Sequence, residues 1–137
     1  MSGPIYQIHT ERLAQFYDAA GQLGLTFDEH EVFAAPVQER WQTRWPADES
    51  KKRDWDLGRI HHFVLELRAG KAVDPIELDN DCTWETIGPP IICDGHHRFI
   101  AALLAGIATI PATYGGRVDI LNYLTGKRKT PPKDLLE

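Results

Sequence analysis

Apolar positions recur at three- and four-residue spacing in several stretches, the period of a helix with one buried face. Leu13, Phe16, Tyr17, Ala20 and Leu23 predict an amphipathic helix over 10–23, with Thr10 as N-cap and Gly24 as its stop. Ile60, Phe63, Val64 and Leu67 predict a second helix, from Arg59 to Gly70. Residues 99–105 are apolar nearly all round, which predicts a buried helix capped by Gly106. Short apolar runs predict strands at 32–35, at 74–78 behind Pro75, at 91–93 and at 107–114. Pro111 inside the last of these points to an edge strand or a bulge. Val118, Leu121 and Leu124 predict a short final helix. Residues 46–56 are dense in charge without a period and read as a solvated loop. Residues 79–90 read as a polar connection holding Trp84. Alternating strands and helices imply an α/β or α+β chain with a small mixed sheet.

Composition narrows the class. A chain of 137 residues with 42% hydrophobic and 26% charged residues is an ordinary one-domain globular protein. It is too short for a full catalytic domain plus a separate DNA-reading domain. The net charge is −5, which argues against a general coat for duplex DNA, whose phosphates call for a basic surface. The charge is segregated, however. The segment 126–137 holds Lys127, Arg128, Lys129 and Lys133 against only Asp134 and Glu137, and reads as a loosely ordered basic tail behind a single domain over 1–125. Two cysteines, Cys82 and Cys93, and no leader pattern at the N-terminus suggest a reduced, cytoplasmic protein. The longest apolar-rich stretch, 99–108, is too short to span a bilayer, so no membrane partner is expected.

The chemistry concentrates at Asp94-Gly95-His96-His97-Arg98. A buried strand ends there, a polar turn follows, and a buried helix begins at once. A helix N-terminus offers unpaired backbone N–H groups and the positive end of a dipole. Gly95 lets the backbone approach a ligand. Arg98 adds a planar fork of donors, and His96 and His97 add further donors. The set suits an anion, with phosphate the natural occupant. The plain alternative is a polar turn carrying surface histidines.

At these residues the chain resembles the ParB/sulfiredoxin superfamily. That fold has a strand, a Gly-x-x-Arg phosphate loop and a helix, followed by a glycine and an Ile-Pro strand. Gly95 to Arg98, Ala101-Ala102, Gly106 and Ile110-Pro111-Ala112 match in order. Upstream, Ile60 to Leu67, Gly70 and Asp74 to Leu78 are similar to the family's helix, glycine and Pro-Ile strand. The resemblance spans about residues 57–114, and residues 1–45 carry no pattern of the family. It implies an α+β fold, a small mixed sheet flanked by helices with the phosphate loop at a helix N-terminus. Sulfiredoxins place their reactive cysteine where this chain has His96, so that activity is not implied. Partition proteins have Gly-Glu-Arg-Arg in the loop and continue into a helix-turn-helix for which no segment remains here.

The Asp-Gly-His-His-Arg form looks most like free-standing members, ADP-dependent serine kinases and ParB-like proteins among them. That implies a nucleotide (ATP, ADP or CTP) held by Gly95, His96, His97 and Arg98. Asp94 becomes a candidate Mg²⁺ ligand, and Asp94, His96 and His97 become candidates for catalysis. A kinase also needs a carboxylate for the acceptor hydroxyl; Glu29, Glu31 and Glu39 are candidates by location only. The first expectation is therefore a nucleotide-binding protein, acting as a small-molecule kinase or other phosphotransferase if it is an enzyme.

The alternatives are a DNA-acting module, either a nuclease or a plasmid- or phage-type regulator, and a non-catalytic interaction module of the same fold. Trp41, Trp45 and Trp55 beside Arg40, Arg44 and Lys51 to Arg53 form the one interleaved aromatic–basic stretch, where nucleic acid would bind; core packing is the other account of these rings. A zinc site built from His61, His62, His96, His97 and the cysteines is not expected. Adjacent helical residues point about 100° apart, and no Cys-x-x-Cys spacing occurs.

Overall fold

A computed structural model describes residues 3–41, 48–80 and 89–136. Four strands form one mixed sheet: β1 (Tyr6–His9), β2 (Ile76–Asp79), β3 (Ile91–Asp94) and β4 (Thr109–Gly115). Their spatial order is β1-β4-β2-β3. β1 and β4 are antiparallel with Ile8 opposite Ile110, β4 and β2 run parallel, and β2 and β3 are antiparallel. Among the described residues six α-helices accompany the sheet: α1 (Thr10–Ala14), α2 (Ala19–Gln22), α3 (Glu29–Ala34), α4 (Glu49–Arg68), α5 (His96–Leu104) and α6 (Val118–Thr125). The chain is thus α+β, with helices flanking a small mixed sheet.

The alternation of the strands sets the core. Ile8, Ile76, Leu78, Ile92, Ile110 and Ala112 are buried and pack with Phe99 to Ala102 of α5, Ile60 and Val64 of α4, and Ile120 and Leu124 of α6. Two close approaches of backbone depend on glycine. At Gly58, inside α4, a side chain would collide with the Pro36 carbonyl and lie 2.6 Å from Gln38 Cγ. The segment leading to Trp41 can therefore cross α4, and the Gln38 N–H donates to the Gly58 carbonyl at 3.1 Å. Gly95 has φ +106°, and a Cβ there would stand 2.5 Å from Ile76 Cγ2.

Several expectations need correction. The 10–23 helix is two helices, because α2 starts afresh at Asp18, whose side chain caps Gly21 N–H. Thr10 lies inside α1; its hydroxyl donates to the Ile107 carbonyl at 2.7 Å. Residues 32–35 are not a strand. A capping box between Asp28 and Glu31 starts α3, which outweighs the β-propensity of Val32 and Phe33. The solvated loop at 46–56 is helical from Glu49 onward, capped by Asp48; residues 46 and 47 lie outside the described residues. β4 is an interior strand. Pro111 is tolerated because pairing with β2 begins at Ala112, one residue later, so the proline has only β1 beside it. β3 is an edge strand with Ile92 buried and Cys93 exposed, not a buried strand. The residues of the 81–88 connection, with Cys82 and Trp84, lie outside the described residues, as does Trp45.

In the tail, the Arg128 N–H donates to the Asn122 carbonyl at 2.9 Å, Arg12 donates to the Arg128 carbonyl at 2.8 Å, and Arg117 pairs with Asp134. No helix among the described residues is long and apolar enough to cross a membrane.

Candidate anion-binding site

β3 delivers Asp94 to the edge of the sheet, Gly95 turns the chain through its positive φ, and α5 begins at His96. No side chain caps α5, so its first turn carries N–H groups suited to an anion. A pocket of about 310 Å³ opens at this point. It gathers residues 93–98 of the loop, with Arg59 and Phe63 from α4, and Leu23 and Trp41 from the N-terminal segment. The volume is at the lower end of the range for small-ligand sites.

Each loop side chain is held by a different element. Arg98 spans the turn: Nη1 donates to the carbonyls of Asp74 (2.7 Å) and Pro75 (3.0 Å), and Nη2 pairs with Asp94 Oδ2 at 3.1 Å. His96 Nε2 lies 2.6 Å from the Tyr17 hydroxyl. Burial pushes the His96 imidazole below its ordinary value; neighbouring His97 adds to this and Asp94 opposes it. Burial also raises Tyr17, with a further contribution from Cys93. His96 therefore offers hydrogen bonds at neutral pH and no charge.

His97 is buried, and its Nε2 lies 2.9 Å from Asp56 Oδ1. The other oxygen of Asp56, itself 1% exposed, accepts from Lys52 Nζ at 2.9 Å. Burial would raise the Asp56 carboxyl, but the hydrogen bonds from His97 and Lys52 outweigh it and hold the group below the usual carboxylate range. In the tautomer that donates from Nε2 to Asp56, the ring lone pair lies on Nδ1. Trp55 and Trp41 meet the His97 ring in T-shaped contacts, with centroids 5.5 and 6.2 Å away.

Arg59 is a pocket residue that motif reasoning misses. It is 8% exposed, its guanidinium lies 4.7 Å above the Phe63 ring, and Nη1 donates to the Gln38 carbonyl at 3.1 Å. Its Nε is buried, and among the described residues it has no hydrogen-bond partner and no carboxylate pairs with the guanidinium. Burial, and then Arg98 beside it, push the guanidinium below its ordinary value. A buried cation with an orphan donor, repelled by a second arginine, is an arrangement that an anion would relieve.

Comparison with protein-family models, with curated proteins and with solved structures finds no match for this chain.

The remaining candidates are dispersed. Glu31 closes the α3 capping box and pairs with Arg53, while Glu29 and Glu39 are exposed; none of the three lines this pocket. Of the basic stretch, Lys52 is bound to Asp56, and Arg53 to Glu31 and the Thr26 carbonyl. Trp55 is buried, whereas Trp41 is 57% exposed. His61 meets the Ala35 carbonyl through Nδ1, and His62 faces Glu66 on its own helix. No cluster of three possible metal ligands occurs among the described residues. Asp94 is the carboxylate of the pocket and is shared with Arg98, so a Mg²⁺ there would be held by one carboxylate and the phosphates of its ligand, a common arrangement for that ion.

Proposed function

We propose that this chain binds the phosphates of a nucleotide at the N-terminus of α5, in the manner of the ParB/sulfiredoxin superfamily it resembles. The observation that carries the reading is Arg59, a buried guanidinium with an unpartnered Nε beside Arg98, at the mouth of an uncapped helix. Phosphate supplies oxygens to both arginines and to the N–H groups of 96–98 at once.

The same site supports phosphoryl transfer. Such transfer needs positioning, charge neutralisation and a group to orient the acceptor hydroxyl. In this reading His97, whose Nε2 is held by Asp56, takes that proton at Nδ1. The carboxylate sought among Glu29, Glu31 and Glu39 is thereby replaced by one on α4.

Thermal melting with ATP, ADP and CTP at millimolar concentration, each with and without Mg²⁺, tests binding. A ligand at a hundred times its Kd stabilises the folded state by about 2.7 kcal/mol, a rise of several degrees in Tm. Arg59→Met should keep the fold and lose the rise. An unchanged Tm with all three nucleotides contradicts the reading.

A further inference from the structure

The two ring nitrogens of His96 have different surroundings. Nε2 lies 2.6 Å from the Tyr17 hydroxyl, and the two rings meet at 5.6 Å between centroids with their planes at 50°. Among the described residues Nδ1 makes no hydrogen bond. The Tyr17 hydroxyl has a second acceptor in reach, the Ile92 carbonyl at 3.4 Å. With the hydroxyl proton directed there, the tyrosine oxygen accepts from Nε2–H, and the ring lone pair lies on Nδ1. Burial and then His97 lower this imidazole against the opposing pull of Asp94, so the ring is neutral at pH 7 and keeps that lone pair. The position of His96 gives the lone pair a target. His96 is the first residue of α5, and its own backbone N–H is among those that hold phosphate in the proposed site. Nδ1 is only a few bonds away along the same residue. His96 also lines the same pocket as Arg98 and Arg59, whose buried Nε has no partner among the described residues. Two guanidinium groups there offset the negative charge that otherwise shields phosphorus from a nucleophile.

Resting on the phosphate reading, we propose that His96 is a phosphoryl acceptor, taking the terminal phosphoryl group of a nucleoside triphosphate on Nδ1 and passing it on. The Nδ1 lone pair forms the N–P bond as the bond from that phosphorus to the bridging oxygen breaks. The electron pair of the broken bond leaves with the nucleoside diphosphate. The proton of the ring stays on Nε2, held by the Tyr17 oxygen, and the positively charged ring is a good leaving group for a second transfer. In that transfer the acceptor oxygen, whose proton goes to His97 Nδ1, replaces the ring on phosphorus. Nucleophile and base thus stand on adjacent residues of one pocket. Tyr17 is a positioning residue, fixing the tautomer that leaves Nδ1 unprotonated.

The first transfer needs no acceptor substrate, so the full chain alone reports it. The chain is incubated with Mg²⁺ and ATP labelled at its terminal phosphate, quenched in alkali, and the label is mapped by peptide fragmentation. The expected result is an acid-labile, alkali-stable phosphoryl group on His96, together with passage of label from ADP into ATP when no acceptor is present. His96→Gln should lose both; the mapping on the native chain stands whether or not that variant folds. Tyr17→Phe should slow the labelling about tenfold, the factor for one hydrogen bond. The ring-nitrogen resonances of His96 should show the proton on Nε2 in the native chain and a mixture of tautomers in Tyr17→Phe, a change that loss of packing alone would not produce. A native ring protonated on Nδ1, or label on any other residue, overturns the proposal. So does an unlabelled native chain whose Tm ATP nevertheless raises, and in that case the phosphate site stands. Neither label nor a rise in Tm overturns the phosphate reading itself.

Discussion

Arg59 stands among Leu57, Ile60 and Val64 on the buried part of α4, where a lysine or arginine is rarely found without a counter-charge. Substituting an apolar side chain of similar length removes a desolvated cation, and such replacements are often neutral or stabilising. Arg59→Met should therefore melt no more than a few degrees below the native chain, or above it, while anion binding is lost; unfolding of this variant would assign Arg59 a purely structural role. Arg98 differs. Its bonds to Asp74 and Pro75 close the turn onto β2, so Arg98→Ala should cost about 1–3 kcal/mol of stability, read by denaturant unfolding, as well as binding. Gly95→Ala combines a left-handed φ with a collision against Ile76, two effects of roughly 1–3 kcal/mol each, and should be among the most disruptive single-methyl changes in the chain.

Protonation acts at this scale too. His96 is depressed, so between its folded and unfolded values the unfolded chain binds the extra proton. Its contribution is complete above about pH 6.5, the ordinary histidine value, and is lost as the pH falls through the lower folded value. Asp56 is also depressed, and its contribution disappears at more acidic pH, below about 3.9. Stability measured against pH should fall in two steps on acidification, and His96→Gln should remove only the upper one.

At the scale of elements, α4 and the loop before α5 form the site together. The loop was legible in the sequence because its chemistry is contiguous: Asp94, Gly95, His96, His97 and Arg98 read as one anion motif, and all five line one pocket. The α4 contribution was hidden. Lys52, Asp56, Arg59 and Phe63 follow at four, three and four residues, the spacing of one helical face, but polar groups in an apolar period look like a break in it. A charge-dense stretch without an apolar period reads as a loop over 46–56, which leaves Glu29, Glu31 and Glu39 as the candidate carboxylates and hides Asp56. The period that counts there is one of charge, made tolerable by the Lys52–Asp56 pair within α4 and the Asp56–His97 hydrogen bond across to α5. Asp56→Ala should remove the carboxylate that His97 and Lys52 share and destabilise the fold by about 1–3 kcal/mol, whereas Asp54→Ala, on the exposed side, should change little. If both behave alike under chemical unfolding, the polar face of α4 is not the joint between these helices.

For the whole molecule, the core face of the sheet follows from the buried positions along the strands, which the sequence displays at Ile8, Ile76 and Leu78, Ile92, and Ile110 and Ala112. The pairing was less legible. Nothing in residues 107–114 announced that β4 would lie between β1 and β2, because a proline in a strand argues for an edge and only the offset start of the β2 pairing removes the objection. The negative net charge also takes a more particular form. Arginines 12, 53, 98 and 117 are engaged in contacts within the chain, and Arg59 retains an unpartnered donor beside the uncapped α5. Among the described residues Arg59 is the arginine with a buried, unpartnered donor, and the proposed anion would sit there.

Backbone and side-chain nitrogen resonances followed during a pyrophosphate titration read that point directly. The phosphate site predicts saturable shifts, largest at the amides of His96, His97 and Arg98 and at Arg59 Nε–H, and absent from the same amides in Arg59→Met. Shifts confined to Lys51 or the 127–133 tail, or none at all, would contradict it.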